Sequence, residues 1–217
     1  MADRCPAGVR IVLAGRVDRA AARLAAEWDR WAPAVLMTPA DVCRAGWAWT
    51  GDIGASRWAA GGRIGTGDDI LGVYVRIPVV LPGELPHLRR ADRGFAAQET
   101  HAFLLAWLAG LGTRVLNRPT PGNLAGPDIS RAAWLRTAGS VLGDDGGRFT
   151  GRLDVVAGRT IQRRAPAPLR SWFVPAVAER VGAGTFTMAL QDGRITGATC
   201  WPALRAPARR ALFEAVS

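Results

Sequence analysis

The apolar positions change period several times along the chain, and each change predicts a different element. Val9-Arg10-Ile11-Val12-Leu13-Ala14-Gly15 is a short apolar run closed by glycine, and Asp18 has the form of an N-cap. The pattern predicts a strand, a turn and a helix reaching about Trp31. Within that helix Leu24, Trp28 and Trp31 stand at i, i+4 and i+7, so they are expected to share one face and enter the core. Pro33 stops the helix, Ala34-Val35-Leu36-Met37 reads as a second buried strand, and Thr38-Pro39-Ala40-Asp41 has the cap-then-proline form of a short helix start. This order of strand, helix, strand and helix predicts a parallel α/β layer.

Beyond residue 45 the period shortens. Trp47 and Trp49 alternate, two runs flank Gly61-Gly62, and 70–77 is β-branched, which predicts a hairpin leading into another buried strand. Residues 92–111 carry Phe95, Glu99, Phe103 and Trp107 at four-residue steps, with Leu104 and Leu108 beside them and Gly110 and Gly112 at the end, a helix with a glycine stop. Thr113 to Asn117 reads as a strand, 118–123 as a loop, and Ser130 as the cap of a helix to about Ala138.

The glycine-rich 139–151 has neither the GxxxxGK[ST] nor the GxGxxG arrangement of a phosphate cradle and reads as a turn or linker. After it come a strand at 149–156, an arginine cluster at Arg159, Arg163 and Arg164, and a proline-interrupted helix over about 169–181. Two alternating runs around Gln191-Asp192-Gly193 form a hairpin over 184–201, and a last helix occupies about 206–216. The expected division is an α/β domain over 1–142 and a shorter, basic α+β part over 143–217.

Composition narrows the chemistry. Hydrophobic residues make up 49% and charged residues 21%, as in a packed globular protein, and no apolar run reaches the roughly 20 residues needed to cross a bilayer. The first residues have no apolar signal core, so a cytoplasmic location without membrane contact is expected. Cys5, Cys43 and Cys200 lack CxxC spacing, and His87 and His101 stand 14 apart, so no metal site is expected. All 28 basic residues are arginine, and the net charge is +10. Any mechanism that requires a lysine ammonium is excluded. Residues 1–108 hold 13 arginines against 11 acids and 109–217 hold 15 against 7, so the positive field belongs to the second half.

The sequence resembles the ATP-grasp ligases, in particular the RimK-like and ribosomal-peptide-maturase members. The resemblance rests on the first strand and helix, Leu36-Met37-Thr38-Pro39-Ala40-Asp41, Val73-Tyr74-Val75-Arg76, the helix over 93–108, Val115-Leu116-Asn117-Arg118-Pro119 and Trp134-Leu135-Arg136-Thr137-Ala138-Gly139. It spans about residues 9–142 and implies a parallel-sheet pre-ATP-grasp domain. It also implies two lysines on the nucleotide and magnesium held by an acidic residue and an E-x-N-P step on the final core hairpin. This chain has no lysine, and the position of that step reads Thr199-Cys200-Trp201-Pro202. Phosphoryl transfer depends on positioning and charge neutralisation by magnesium, so ATP and magnesium are not expected as cofactors. The segment after Ala138 is also short for two nucleotide-clasping subdomains, and the expectation is a shortened, catalytically degenerate homologue.

The reading that follows is a binding or accessory subunit that holds a partner protein or an acidic peptide in a peptide-modification pathway. Arg159, Arg163, Arg164 and Arg170 are its candidate carboxylate contacts. Tyr74, Arg76, Asn117 and Arg118 join them, because the resemblance places them at strand ends of an open sheet, where ligands commonly bind. No catalytic residue is assigned. Two alternatives stay open: an active carboxylate–amine ligase with replaced groups, and an arginine-rich protein binding nucleic acid, although no helix-turn-helix or RNP pattern is present. No G-x-S-x-G elbow supports a hydrolase. Nine tryptophans leave room for an exposed patch and a dimer.

Overall fold

The computed structural model describes residues 3–4, 8–127, 130, 132–133, 136, 151–163, 173–191, 194–199 and 204–217. The chain forms two compact units, one of residues 1–125 with 216–217 and one of 126–215.

In the first unit, β2 (Val9–Leu13) lies at the centre of a three-stranded parallel sheet in the order β3-β2-β6, with β3 at Ala34–Met37 and β6 at Ile70–Val75. All five residues of β2 are buried, because strands covered on both faces lose the polar-outward alternation. Helix α1 (Arg19–Asp29) returns the chain from β2 to β3, the crossover a parallel pair requires. Asp18 caps it, its carboxylate accepting from the Ala21 N–H at 2.9 Å. Ala21, Leu24, Ala25 and Trp28 are buried, whereas Trp31 is 39% exposed, because the helix stops at Asp29 before its eighth-residue partner can follow the apolar face. The short helix α2 (Pro39–Val42) starts as expected, with the Asp41 carboxylate accepting from the Thr38 N–H at 2.9 Å and from its hydroxyl at 2.7 Å.

The hairpin around Gly61-Gly62 is formed by β4 (Arg57–Ala60) and β5 (Arg63–Thr66), and the two-residue β1 (Asp3–Arg4) pairs with β5 in a second small sheet. Trp47 and Trp49 lie on a loop instead of a strand. Trp47 packs edge-on against Phe103 and Trp107 with centroids 5.5 and 5.4 Å away, and its indole N–H donates to the Ala59 carbonyl at 2.8 Å. Helix α3 (Arg93–Leu111) ends at Gly112, whose φ of 59° needs a residue without Cβ. Its buried stripe is Ala97, Thr100, Leu104, Trp107, Leu108 and Leu111. Phe95 is 71% exposed because three steps of four residues drift about 120° around a helix of 3.6 residues per turn, leaving the two ends of the row on different sides. The expected strand at 113–117 is a 3-10 turn over Gly112–Arg114 followed by a single parallel bridge from Val115 to Val73.

The second unit holds an antiparallel sheet in the order β10-β9-β7-β8, with β7 at Gly151–Val156, β8 at Arg159–Arg163, β9 at Phe186–Gln191 and β10 at Arg194–Thr199. Arg159 and Arg163 belong to a strand that the sequence pattern does not announce. Ala157-Gly158 makes its turn with φ of 48° and 74°, the left-handed pair of a two-residue hairpin, without an Asn-Gly or Asp-Gly dipeptide. Helix α4 (Phe173–Val181) places Phe173, Val174, Val177 and Val181 on a core shared with Leu153, Val155, Phe186, Met188 and Leu190. Pro175 is tolerated because it stands in the first turn, where its missing N–H has no intrahelical partner. Helix α5 (Ala206–Ala215) follows, and Val216 and Ser217 belong to the first unit, where Val216 lies against Gly72. Ser130 accepts from the Ala133 N–H at 3.2 Å, as a cap does. The linker reading over 139–150, the Asp192-Gly193 turn residues and Cys200-Trp201-Pro202 lie outside the described residues. Among the described residues no helix is long and apolar enough to cross a membrane.

Candidate functional site

The carboxyl ends of β2, β3 and β6 lie together, and the loops that leave them are tied by specific contacts. After β2 the chain passes Gly15 and Arg16. The Arg16 N–H donates to Glu84 Oε2 at 2.8 Å and its Nε to the Gly83 carbonyl at 3.0 Å, joining this loop to the turn at Pro82–Glu84. The two loops come close at Gly15, where a Cβ would sit 2.9 Å from Glu84 Oε1 and displace that carboxylate.

Arg76 follows β6 directly. Its N–H donates to the Leu13 carbonyl at 2.7 Å, its Nε to Asp18 Oδ2 at 2.9 Å and its Nη1 to the Tyr74 hydroxyl at 3.4 Å. Burial works against the charge, and Tyr74 and Asp18 outweigh it, so the guanidinium is held above its ordinary value. Tyr74 is only 2% exposed, its ring 6.4 Å from that of Trp28. Tyr74 and Arg76 thus form one network with Asp18, anchored at the start of α1. The local sequence signals only the capping role of Asp18.

Leu116 donates its N–H to the Val73 carbonyl at 3.3 Å, so 115–117 run beside β6 and bring Asn117 and Arg118 to the same end of the sheet. Asn117 is buried, with Nδ2 donating to the Ala125 carbonyl at 3.4 Å, while Arg118 is exposed. The loop beyond is braced: Thr120 and Asn123 exchange backbone hydrogen bonds of 2.9 and 3.0 Å, and Leu124 donates to the Pro78 carbonyl at 2.8 Å. His101 of α3 lies between the two segments. Its Nδ1 is 3.5 Å from the Val80 N–H and its Nε2 is 3.4 Å from the Pro121 carbonyl. Nothing in the local sequence of α3 signals this bridging role, because both partners are backbone groups distant in the chain.

The arginine candidates of the second half are divided differently. Arg159 begins β8, is exposed, and lines a cavity of about 250 Å³ with Val156, Ile161 and Glu214. Arg163 ends the same strand. Arg164 and Arg170 lie outside the described residues. Tyr74, Arg76, Asn117 and Arg118 are brought to one sheet end of the first unit; Arg159 and Arg163 belong to the second.

No family model matches the chain and no curated protein matches it. Solved structures do. The ATP-grasp ligase PsnB with a minimal precursor superposes with a TM-score of 0.65 at 12% identity, covering 96% of this chain and 99% of that one. Its complex with minimal precursor, Mg and ADP gives 0.61 at 13% identity over 95% and 98%. A complex with a phosphomimetic variant of the precursor, Mg and ADP gives 0.60 at 13% identity over 96% and 97%. The chain has the ATP-grasp fold. The mixed α/β architecture expected from the sequence is therefore the observed one, and at 12–13% identity the likeness to the ligases is one of fold.

An ATP-grasp fold implies a nucleotide with magnesium, and the donor set can be compared with that demand. Arginine supplies every basic side chain of the 217 residues, so no compact ammonium is present to sit on a phosphate. Among the described residues no three His, Cys, Asp or Glu side chains gather closely enough to hold a metal ion. The side chains that do converge in the first unit are arranged for hydrogen bonding and charge: the Arg16–Glu84 clasp, the Asp18–Arg76–Tyr74 network and the exposed Arg118.

Proposed function

We propose that this chain is a non-catalytic protein of ATP-grasp fold that holds a peptide or protein partner in a peptide-modification pathway. The observation that carries the reading is the absence of lysine from all 217 residues, set against the two nucleotide-binding lysines that the resemblance to the ATP-grasp ligases implies. Support for a peptide comes from the matched PsnB structures, which hold a minimal precursor. Arginine offers planar, bidentate hydrogen bonding to carboxylates, which suits acidic side chains on such a partner.

Titration calorimetry with ATP and magnesium tests the non-catalytic part. The expected result is no binding tighter than about 100 µM, equivalent to about −5.5 kcal/mol, and a tighter complex overturns it. Affinity capture with proteins and peptides encoded beside this one tests the other part, with one specific partner as the expected result and a blank as the refutation.

The second reading is an active carboxylate–amine ligase in which arginines take the place of lysine charge. It draws on the two matched PsnB complexes that contain Mg and ADP. Release of ADP in the presence of a precursor peptide and magnesium would establish it.

A further inference from the structure

Arg118 has a surrounding that the other candidate arginines lack. It lines an open cavity of about 270 Å³ together with Leu108, Ala109, Gly112 and Pro119. Apart from the guanidinium the lining side chains are apolar, and no carboxylate is among them. In front of Gly112 the space is free: a Cβ there would meet nothing within 4 Å. The volume is below the about 300–1,000 Å³ of clefts that take drug-sized ligands, so the cavity suits a side chain or a small acid.

The charge in this cavity is uncommitted. Among the described residues no hydrogen bond or ion pair engages the Arg118 side chain. Arg114, four residues earlier, is in the opposite state. It donates to the carbonyls of Gly67 at 2.7 Å, Ile70 at 3.2 Å and Leu111 at 3.5 Å, which also offsets the negative end of α3 beside the cavity. Buried Asn117 fixes the backbone on one side of Arg118. Pro119 restricts it on the other, since a residue before proline is confined to extended conformations. These two neighbours hold the backbone that carries the guanidinium beside the cavity. The cavity at Arg159 contrasts with it, because Glu214 lies on its wall and would repel an anion.

The geometry points to a subsite at Arg118 for a carboxylate on a short aliphatic stem, delivered as the side chain of a glutamate in a peptide partner. The guanidinium pairs with the carboxylate, and Leu108, Ala109 and Pro119 cover the methylenes. The inference deepens the peptide-binding reading and rests on it only for the source of the carboxylate.

The test uses the whole chain, with butyrate and its uncharged isostere butyramide as small probes and acetyl-Ala-Glu-Ala-amide and its glutamine counterpart as peptide probes. Binding is followed through the amide resonances of Ala109 and Gly112. Butyrate is expected to shift them saturably, with butyramide at least tenfold weaker. Arg118→Gln is expected to weaken butyrate at least tenfold while the amide spectrum stays folded. Ala109→Leu, on an exposed helix position, is expected to fill the cavity and give the same loss with the charge intact. Equal binding of butyrate and butyramide, or butyrate binding unchanged in both variants, overturns the subsite. If the glutamate peptide binds Arg118→Gln as well as the parent chain, the subsite falls while the peptide reading stands. If butyrate binds as expected and neither peptide does, the glutamate source is overturned and the site is one for a small acid, while the partner reading is decided by the capture experiment.

Discussion

Replacing Asp18 separates two roles that one carboxylate performs. Oδ1 caps α1 through the Ala21 N–H at 2.9 Å, and Oδ2 receives the Arg76 guanidinium at 2.9 Å. The two side chains are 23% and 14% exposed, so the pair lies between a solvated surface bridge and a buried one. Surface pairs contribute up to about 1 kcal/mol, whereas stripping one partner from a buried pair costs about 3–5 kcal/mol. Asp18→Asn keeps an oxygen for the cap and removes the charge, for an expected loss of about 2 kcal/mol. Asp18→Ala also removes the cap, worth about 1 kcal/mol more. Urea denaturation followed by circular dichroism gives the totals, and hydrogen exchange at the Ala21 amide isolates the cap. That amide is expected to stay protected in Asp18→Asn and to exchange faster in Asp18→Ala. A double-mutant cycle with Arg76→Met is expected to show coupling of about 1.5 kcal/mol. The reasoning fails if the coupling is below about 0.5 kcal/mol by that analysis, or if the asparagine and alanine variants behave alike.

Three further outcomes follow from the same structure. Asp29 accepts from Arg63 at 2.9 Å on both oxygens, and this hydrogen bonding, opposed by partial burial, holds its carboxyl below the ordinary value. The stability from that depression is present above the unfolded-state pKa of about 4 and disappears as pH falls through the lower folded value, so Asp29→Asn should flatten acid unfolding there. With the Asp29 side chain 38% exposed, solvent screening limits the effect to about 1 kcal/mol or less. Gly67→Ala would put a Cβ 1.8 Å from the Ile53 carbonyl oxygen, and the backbone cannot yield cheaply; a loss of about 3 kcal/mol is expected in a urea titration, against no change for Gly83→Ala, where nothing lies within 4 Å. Trp47→Ala removes an indole packed on Phe103 and Trp107 and should cost about 3 kcal/mol in the same assay, which a change under about 1 kcal/mol would contradict.

Much of the first unit follows from short-range rules. The run 9–13 with Asp18 behind it, the apolar 34–37 and the cap at Thr38 each carry their own signal, and the structure places elements there with bounds differing by a residue or two. Local signals mislead where a neighbour decides. Phe95 and Trp31 fit an apolar face by spacing, yet burial depends on where the packed surface ends, and both remain exposed. The strand β8 has no recognisable turn dipeptide, and it exists because β7 supplies its hydrogen-bond partners.

The sequence alone settles what chemistry is on offer: basicity carried entirely by arginine, few cysteines and histidines, and an α/β order of elements. Those properties depend on composition and on contacts within a few residues, so they survive without knowledge of the fold. Tertiary structure decides which charges are spent. Arg76 and Arg114 are committed to Asp18, Tyr74 and backbone carbonyls, whereas Arg118 faces an apolar cavity. Pairing of that kind joins residues as far apart as 18 and 76, or 114 and 67, and no periodicity along the chain encodes a distance across it.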